Sequence, residues 1–595
     1  MKQDVKKNLS ILREVMAKQG ISAVIIPQTD SHQSEYLAEY WQVRRFFSNF
    51  TGSAGDLIVT ADKALLWTDS RYFLQATSQL AGSGIELMKD GLAGTPDQAT
   101  WLKTHLQSGD IVGVDSLVLN IGSFDSLARE LAAKGIRLIH FDPAIVWASR
   151  PGLPKDKIFI HDEKFAGRSA KEKIADALRV ADQEYESDSV LISALDEIAW
   201  ILNIRSRDVL YNPVATGFLY LSPKLSTLFT DPDKLTAEVL DYLASQGVQT
   251  APYSSLTDFI HALPENEKVL IQTARTAKFI QNTLGTRAIL GDSVVALPKA
   301  QKNDTQVAGI RAAMERDGVA LVKAVIEIER RIAVVQPLHE VDVDDILFAM
   351  RAQQPHYFDR SFGTAAGYGP NGAIVHYEAE PETCAVVKTG NLLLIDSGAQ
   401  YLDGTTDITR TISIGEPTAE QKRDFTLVMK GHIALSLMQF PEGTTGHQLD
   451  AIARMFLWKN GLSYLHGTGH GVGQFLNVHE GPQSIRLNYV PTPLLPGMIT
   501  SNEPGLYREN VHGIRCENLV LTVPSVSNEF GKFLKFETLT LFPFDLSLFD
   551  TSIMSDEEIE WVNNYHTTVR SRLTPLLNSA ERTWLEKKTA ILTRK

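Results

Sequence analysis

The chain has 595 residues, 44% of them hydrophobic and 22% charged, the balance of an ordinary soluble globular protein long enough for roughly three or four domains. Its net charge of −13 argues against nucleic acid or an anionic membrane as the main partner. Only two cysteines, Cys384 and Cys516, are present, so there is no disulfide framework, and a reducing, cytoplasmic compartment is expected. No apolar run approaches the ~18 residues of a membrane helix.

The N-terminus mixes charge with Leu9, Leu12, Val15 and Met16 at helical spacing rather than carrying a leader's apolar stretch. That helix is expected to stop at Gly20. Buried strands follow in ISAVIIP, GDLIVT and KALLWTD, then a helix over 123–134 and a strand in RLIHFD. This is an α/β alternation without a nucleotide-type glycine motif. Arg150 to Lys157, RPGLPKDK, has two prolines and charge but no periodicity, and reads as a linker. The next segment repeats the first at a constant offset of 162: GDLIVT (Gly55 to Thr60) falls on GFLYLS (Gly217 to Ser222), WTD on FTD, and more weakly SEYLA on DEIAW. Two domains of one fold, 1–153 and 154–303, are inferred. Arg71, in WTDSRYF, falls opposite Asp233, so this basic group belongs to the first copy only; it serves either a surface salt bridge or a ligand.

The third segment, 304–595, opens with the spacing of one or two long amphipathic helices over 305–332. AIVHY then reads as a strand carrying His376. Later come a helical pair over 420–461 and a tail helix announced by the capping box Ser555 and Glu558. Between His376 and the helical pair, NLLLIDSGAQYLDGTTDITRTISIG reads as a β-hairpin. With the turn centred between Tyr401 and Leu402, Asp396 opposes Asp407 on one face, Cβ atoms about 5 Å apart. Like charges that close require a proton or a cation between them. A second hairpin, ITSNEPGLYRENVHGIRCENLVLT, turns near Asn510 and sets Glu503 against Glu517, with Cys516 packing on the other face. HGTGHGVGQFLNVHEGP between the hairpins supplies His466, His470 and His479. Four carboxylates and an imidazole can neutralise two divalent cations, and mostly oxygen ligands favour hard or borderline ions such as Mn²⁺.

The order and context of Asp396, Asp407, His470, Glu503 and Glu517 resemble the pita-bread metallopeptidases, the group of methionine aminopeptidase, prolidase and aminopeptidase P. VHYE, IDSGAQYLDGTTDITRT, HGTGHGVG, FLNVHEGP, SNEPGLY and GIRCENL, with WTDSRYFLQA near the N-terminus, are similar to the three-domain, cytosolic type of Xaa-Pro aminopeptidase over essentially the whole chain. The resemblance implies an α/β (α+β) protein: two creatinase-like α/β domains, then a pita-bread catalytic domain with a helical C-terminal tail. It implies hydrolysis of the bond between an N-terminal residue and a penultimate proline, a preference that spacing alone does not reveal. Asp407 and Glu517 would bridge two metals, with Asp396 on one and His470 and Glu503 on the other. The metals would acidify a shared water to the attacking hydroxide. Glu503 would carry the proton, His376 and His479 would hold the substrate carbonyl and the oxyanion, and His466 would line the same cleft. Family members of this type form dimers, so a homodimer is expected in which Arg71 reaches a substrate in the partner subunit. Three rival readings differ at visible points. A metal-free creatinase-like amidinohydrolase would lack several of the five ligands, and a non-catalytic peptide-binding relative would have lost them. A prolidase keeps them but usually carries one domain ahead of the catalytic one.

Overall fold

The structure is a computed structural model, and it describes residues 4–594. The chain forms two compact units, one of 1–163 with 168–295, the other of 164–167 with 296–595.

The first unit holds two six-stranded sheets with the same strand order. In the first, the order is Glu86–Lys89, Ala64–Thr68, Asp56–Thr60, Ala23–Ile26, Ile111–Val114, Arg137–His140. In the second it is Val248–Pro252, Ser226–Thr230, Phe218–Leu221, Ser189–Ile192, Val269–Gln272, Ala288–Gly291. Antiparallel and parallel pairings also fall at the same places in both. The inferred repeat is therefore a repeat of topology. The offset of 162 is kept at three neighbouring strands, Asp56–Thr60, Ala64–Thr68 and Glu86–Lys89, and drifts at the other three, where the connecting segments differ in length. One glycine is shared for a reason: a Cβ on Gly55 would lie 2.4 Å from the Trp67 carbonyl oxygen, and one on Gly217 would lie 2.8 Å from that of Phe229. The weaker SEYLA and DEIAW match is corrected. Asp196 to Trp200 lie in the helix Leu195–Leu202, whereas Ser34 to Ala38 are irregular, held as turns by the Asp30 carboxylate and the Gln33 amide.

In the second unit, the short helix Ala296–Ala300 is followed by one 30-residue helix, Asp304–Ala333, with a capping box between Asn303 and Gln306. Against its apolar stripe pack a three-stranded sheet, ordered Ala365–Tyr368, Asn391–Ser397, Ile408–Ile414, and the helix Glu340–Arg351. A six-stranded sheet runs Gln439–Pro441, Gly531–Thr538, Asn518–Asn528, Ile499–Asn502, Gly469–Gly471, Glu480–Ile485. Helices Ala419–Ser436 and Gly446–Trp458 form the expected pair. Ser555 and Glu558 do cap the tail helix Asp556–Leu573. Strands and helices are mixed throughout, in the α/β to α+β class expected. No helix among the described residues is long and apolar enough to cross a membrane.

The tail is built into the strands of the second unit. Arg410, on the buried side of Ile408–Ile414, donates to Tyr565 Oη at 2.9 Å, to Asn518 Oδ1 at 2.8 Å and to the carbonyls of Phe542 and Pro543 at 2.7 and 3.2 Å. Its guanidinium lies 3.9 Å from the centre of the Phe544 ring.

Candidate active site

The two hairpins carry the acids, with one correction of register. Asn391–Ser397 pairs with Ile408–Ile414 so that Asp396 opposes Thr409, not Asp407. The turn centres one residue later than expected because Gln400 and Tyr401 pair with Thr405 and Gly404 in a separate small ladder. The shift displaces Asp407 by two residues along the strand, so it stays on the Asp396 face. The second hairpin keeps one register from Ser501↔Leu519 through Arg508↔His512, which sets Glu503 across from Glu517 as expected. Its turn holds Asn510 at φ 61°, in the left-handed region that Asn tolerates.

Thr409 joins the hairpins. Its hydroxyl donates to Glu517 Oε2 at 2.8 Å and accepts from Arg515 Nε at 3.1 Å, while its carbonyl accepts the Glu517 N–H at 3.1 Å. Arg515 then donates to Asp396 Oδ2 at 2.6 Å and to Tyr507 Oη at 2.7 Å. His466 Nε2 lies 2.8 Å from the same phenol, so a hydrogen-bonded chain runs from Asp396 through Arg515 and Tyr507 to His466.

His470 sits on Gly469–Gly471, with Nδ1 2.9 Å from the Gly471 carbonyl. Its Nε2 is 3.4 Å from Asp407 Oδ2 and 3.5 Å from Glu503 Oε1. Donor atoms of Asp407, His470 and Glu517 all lie within 4.8 Å of one another. The His479 ring stands edge-on to His470 with centroids 4.4 Å apart. His376 is on no strand, contrary to expectation. Gly369–Ala373 forms a 3₁₀ turn and Tyr377 N–H closes onto the Ile374 carbonyl, because the polar groups here bond to the Glu340 carboxylate rather than to a ladder. The neighbouring Val375 carbonyl accepts from Arg515 at 3.3 Å, which ties the His376 segment to the acid group. Arg71 belongs to the first unit, where it forms a two-point pair with Asp69 at 2.9 and 2.7 Å.

The electrostatics of this group call for positive charge. Burial lifts Asp396, with Asp407 adding to the effect against the pull of Arg515. Burial pushes Glu503 up to about 7 and Glu517 well above the carboxylate range, where Asp407 adds to it. Burial also works against a charged His470, yet Asp407 and Glu503 outweigh it and push the imidazole up to about 9. Asp396 Oδ1 and Glu517 Oε1 are buried with no hydrogen-bond partner. Orphaned carboxylate oxygens cost several kcal/mol unless a cation takes their lone pairs. The donor set fits divalent cations, with oxygen ligands in excess and one imidazole.

Arg515, Tyr507, Thr409 and Arg410 did not emerge from the sequence. Strand alternation was the available signal for three of them, since Arg515 shares a face with Glu517, Tyr507 with Glu503, and Thr409 with Asp407.

A buried cluster of acids with an imidazole, on paired antiparallel hairpins, is the centre of a metallohydrolase. The chain belongs to metallopeptidase family M24, in its aminopeptidase P branch. The model of "Metallopeptidase family M24" matches residues 308–524 and that of the "C-terminal region of peptidase_M24" matches 532–592. Models of the "Creatinase/Prolidase N-terminal domain" match 9–150 and 149–306. Aminopeptidase P2 of Arabidopsis thaliana is 42% identical over 98% of this chain and 88% of its own. A protein named "Probable Xaa-Pro aminopeptidase P" from Aspergillus fumigatus is 41% identical over 99% of this chain and 93% of its own. Among solved structures, an X-prolyl aminopeptidase from Caenorhabditis elegans, described as a cytosolic enzyme with a di-nuclear active site, is 32% identical with TM-score 0.94 over 99% of both chains.

Proposed function

We propose that this chain is a metal-dependent Xaa-Pro aminopeptidase that releases the N-terminal residue ahead of a penultimate proline. The observation that carries it is the convergence of Asp407, His470 and Glu517 beside the orphaned oxygens of Asp396 and Glu517. Asp396, Asp407, His470, Glu503 and Glu517 would hold two divalent cations, for which Mn²⁺ suits the oxygen-rich set. Bound cations supply Lewis-acid polarisation of the scissile carbonyl and acidify water to a nucleophile at neutral pH.

The protein's own groups do the rest. Glu503, buried and raised to about 7, is poised to accept the proton of the attacking water and return it to the leaving nitrogen. His376 and His479 hold the carbonyl and its developing negative charge. His466, fixed by Tyr507, lines the cleft. Arg515 keeps Asp396 oriented. A proline nitrogen carries no N–H, so its amide is recognised by ring shape rather than by a donated hydrogen bond.

The same reading divides the chain into domains 1–153, 154–303 and 304–595. It makes the protein a cytoplasmic homodimer in which Arg71 serves a substrate in the partner subunit. The two-cysteine composition and the cytosolic relative support the compartment. Cleavage of Arg-Pro-Pro and Arg-Pro, followed by mass spectrometry with Mn²⁺ present, tests the activity. Release of Arg from the tripeptide is expected. Cleavage of the dipeptide alone would make the chain a prolidase.

A further inference from the structure

We infer that Glu340 is a positioning residue whose buried carboxylate holds His376 in place from both sides in sequence. This rests on the role given to His376 above.

Glu340 opens the helix Glu340–Arg351 and its side chain is fully buried. Its Oε1 accepts from the Tyr368 N–H at 2.6 Å and from Asn371 Nδ2 at 3.0 Å. Its Oε2 accepts from Tyr377 Oη at 2.7 Å, from the Ala385 N–H at 2.6 Å and from the same Asn371 amide at 3.0 Å. Tyr368 and Asn371 precede His376, Tyr377 follows it directly, and Ala385 lies beyond. The Glu340 N–H returns a bond to the Ala385 carbonyl at 3.1 Å, which closes the far end of the segment onto the helix start.

A carboxylate offers about four lone-pair directions, and four donor groups fill them. No ladder holds this segment, so the carboxylate takes the place of the strand that the apolar AIV run suggested. On its other side the segment lies against the second hairpin. A Cβ on Gly513 would fall 1.6 Å from the Gly372 carbonyl oxygen, so backbone meets backbone there with no room for a side chain. The segment is thus gripped between the strand His512–Arg515 and Glu340, with the Val375 carbonyl on Arg515 between them. Charge-assisted bonds of this kind are the strong ones. A reacting group displaced by about 1 Å loses roughly a hundredfold in rate.

The test is a double-mutant cycle on Arg-Pro-Pro cleavage in metal-loaded protein, with metal content and far-UV circular dichroism measured for each variant. Glu340→Gln keeps the shape but turns a donor toward the donors; it is expected to lower kcat about tenfold to a hundredfold with two metals retained. In a His376→Ala background the same substitution is expected to change kcat by less than about threefold, because the group it positions is gone. Tyr377→Phe removes the bond to Glu340 and the one its hydroxyl accepts from Asn371, leaves the carboxylate's other donors in place, and is expected to show a smaller loss with the same dependence on His376. Equal losses in both backgrounds for both variants would overturn the proposal, as would wild-type kcat in Glu340→Gln alongside a slow His376→Ala. Wild-type kcat in His376→Ala would overturn the role of His376 and this proposal with it.

Discussion

Replacing Arg410 with Met tests whether the C-terminal tail is a working part of the metal centre. The buried guanidinium faces backbone carbonyls and Tyr565 rather than a carboxylate, and burial holds its pKa below the usual arginine value. Met fills much of the same volume against Phe544 but withdraws the donors at the Pro543 and Glu517 carbonyls. Each buried carbonyl left unpaired costs about 1–3 kcal/mol, hence about 2–6 kcal/mol for two. Relief from no longer burying a cation offsets part of that, leaving about 3 kcal/mol. The loss falls where the strands Ile408–Ile414 and Asn518–Asn528 meet, next to Asp407 and Glu517. Amide hydrogen exchange of the metal-free protein reads it directly, with protection across these strands expected to drop roughly 150-fold. Weaker metal binding should accompany it, since Glu517 is hung from the same bonds. Protection within about threefold of wild type would refute the reasoning and return the tail to a mere surface covering.

Glu503→Gln should lower kcat on Xaa-Pro peptides by about 10²- to 10⁴-fold at saturating metal, and turnover within a few-fold of wild type would remove Glu503 from proton transfer. Arg71→Ala should raise KM for tripeptides without changing metal content; an unchanged KM would make Arg71 only the partner of Asp69. His566 accepts the Phe544 N–H at Nε2, and burial holds it down at about 3, so it stays neutral in the fold. Its stabilising effect is therefore complete above the unfolded value near 6.5 and shrinks by about 1.4 kcal/mol per pH unit as pH falls from there towards 3. Urea unfolding of His566→Gln from pH 6.5 to 5 should show a slope shallower by about that amount, and identical slopes would contradict the burial of a neutral imidazole.

The acids of the site were legible because like charges on one sheet face demand an explanation wherever they occur. Glu503 and Glu517 came out in the right register since Asn510 marks a tight turn and nothing interrupts the pairing. Asp396 and Asp407 came out on the right face but two residues out of step, because a second ladder inside the connection moves the turn without changing parity. The duplication of the first unit showed in the strands Asp56–Thr60 and Ala64–Thr68, which kept both their spacing and their residue types in the second copy. His376 was misplaced, since an apolar triplet looks like a strand when the carboxylate that captures its surroundings lies more than 30 residues earlier. Arg410 and Glu340 share that obscurity: each acts through bonds to distant backbone, and sequence pattern carries no trace of such bonds.

The most direct test of the central claim is metal restoration to chelator-stripped protein, wild type beside Asp407→Asn, with bound metal counted and Arg-Pro-Pro cleavage followed together. The wild type is predicted to be inactive when stripped and to regain activity as two equivalents of Mn²⁺ bind, while the variant stays folded, binds less metal and remains inactive. Full activity in the stripped protein, or in Asp407→Asn, would contradict the account.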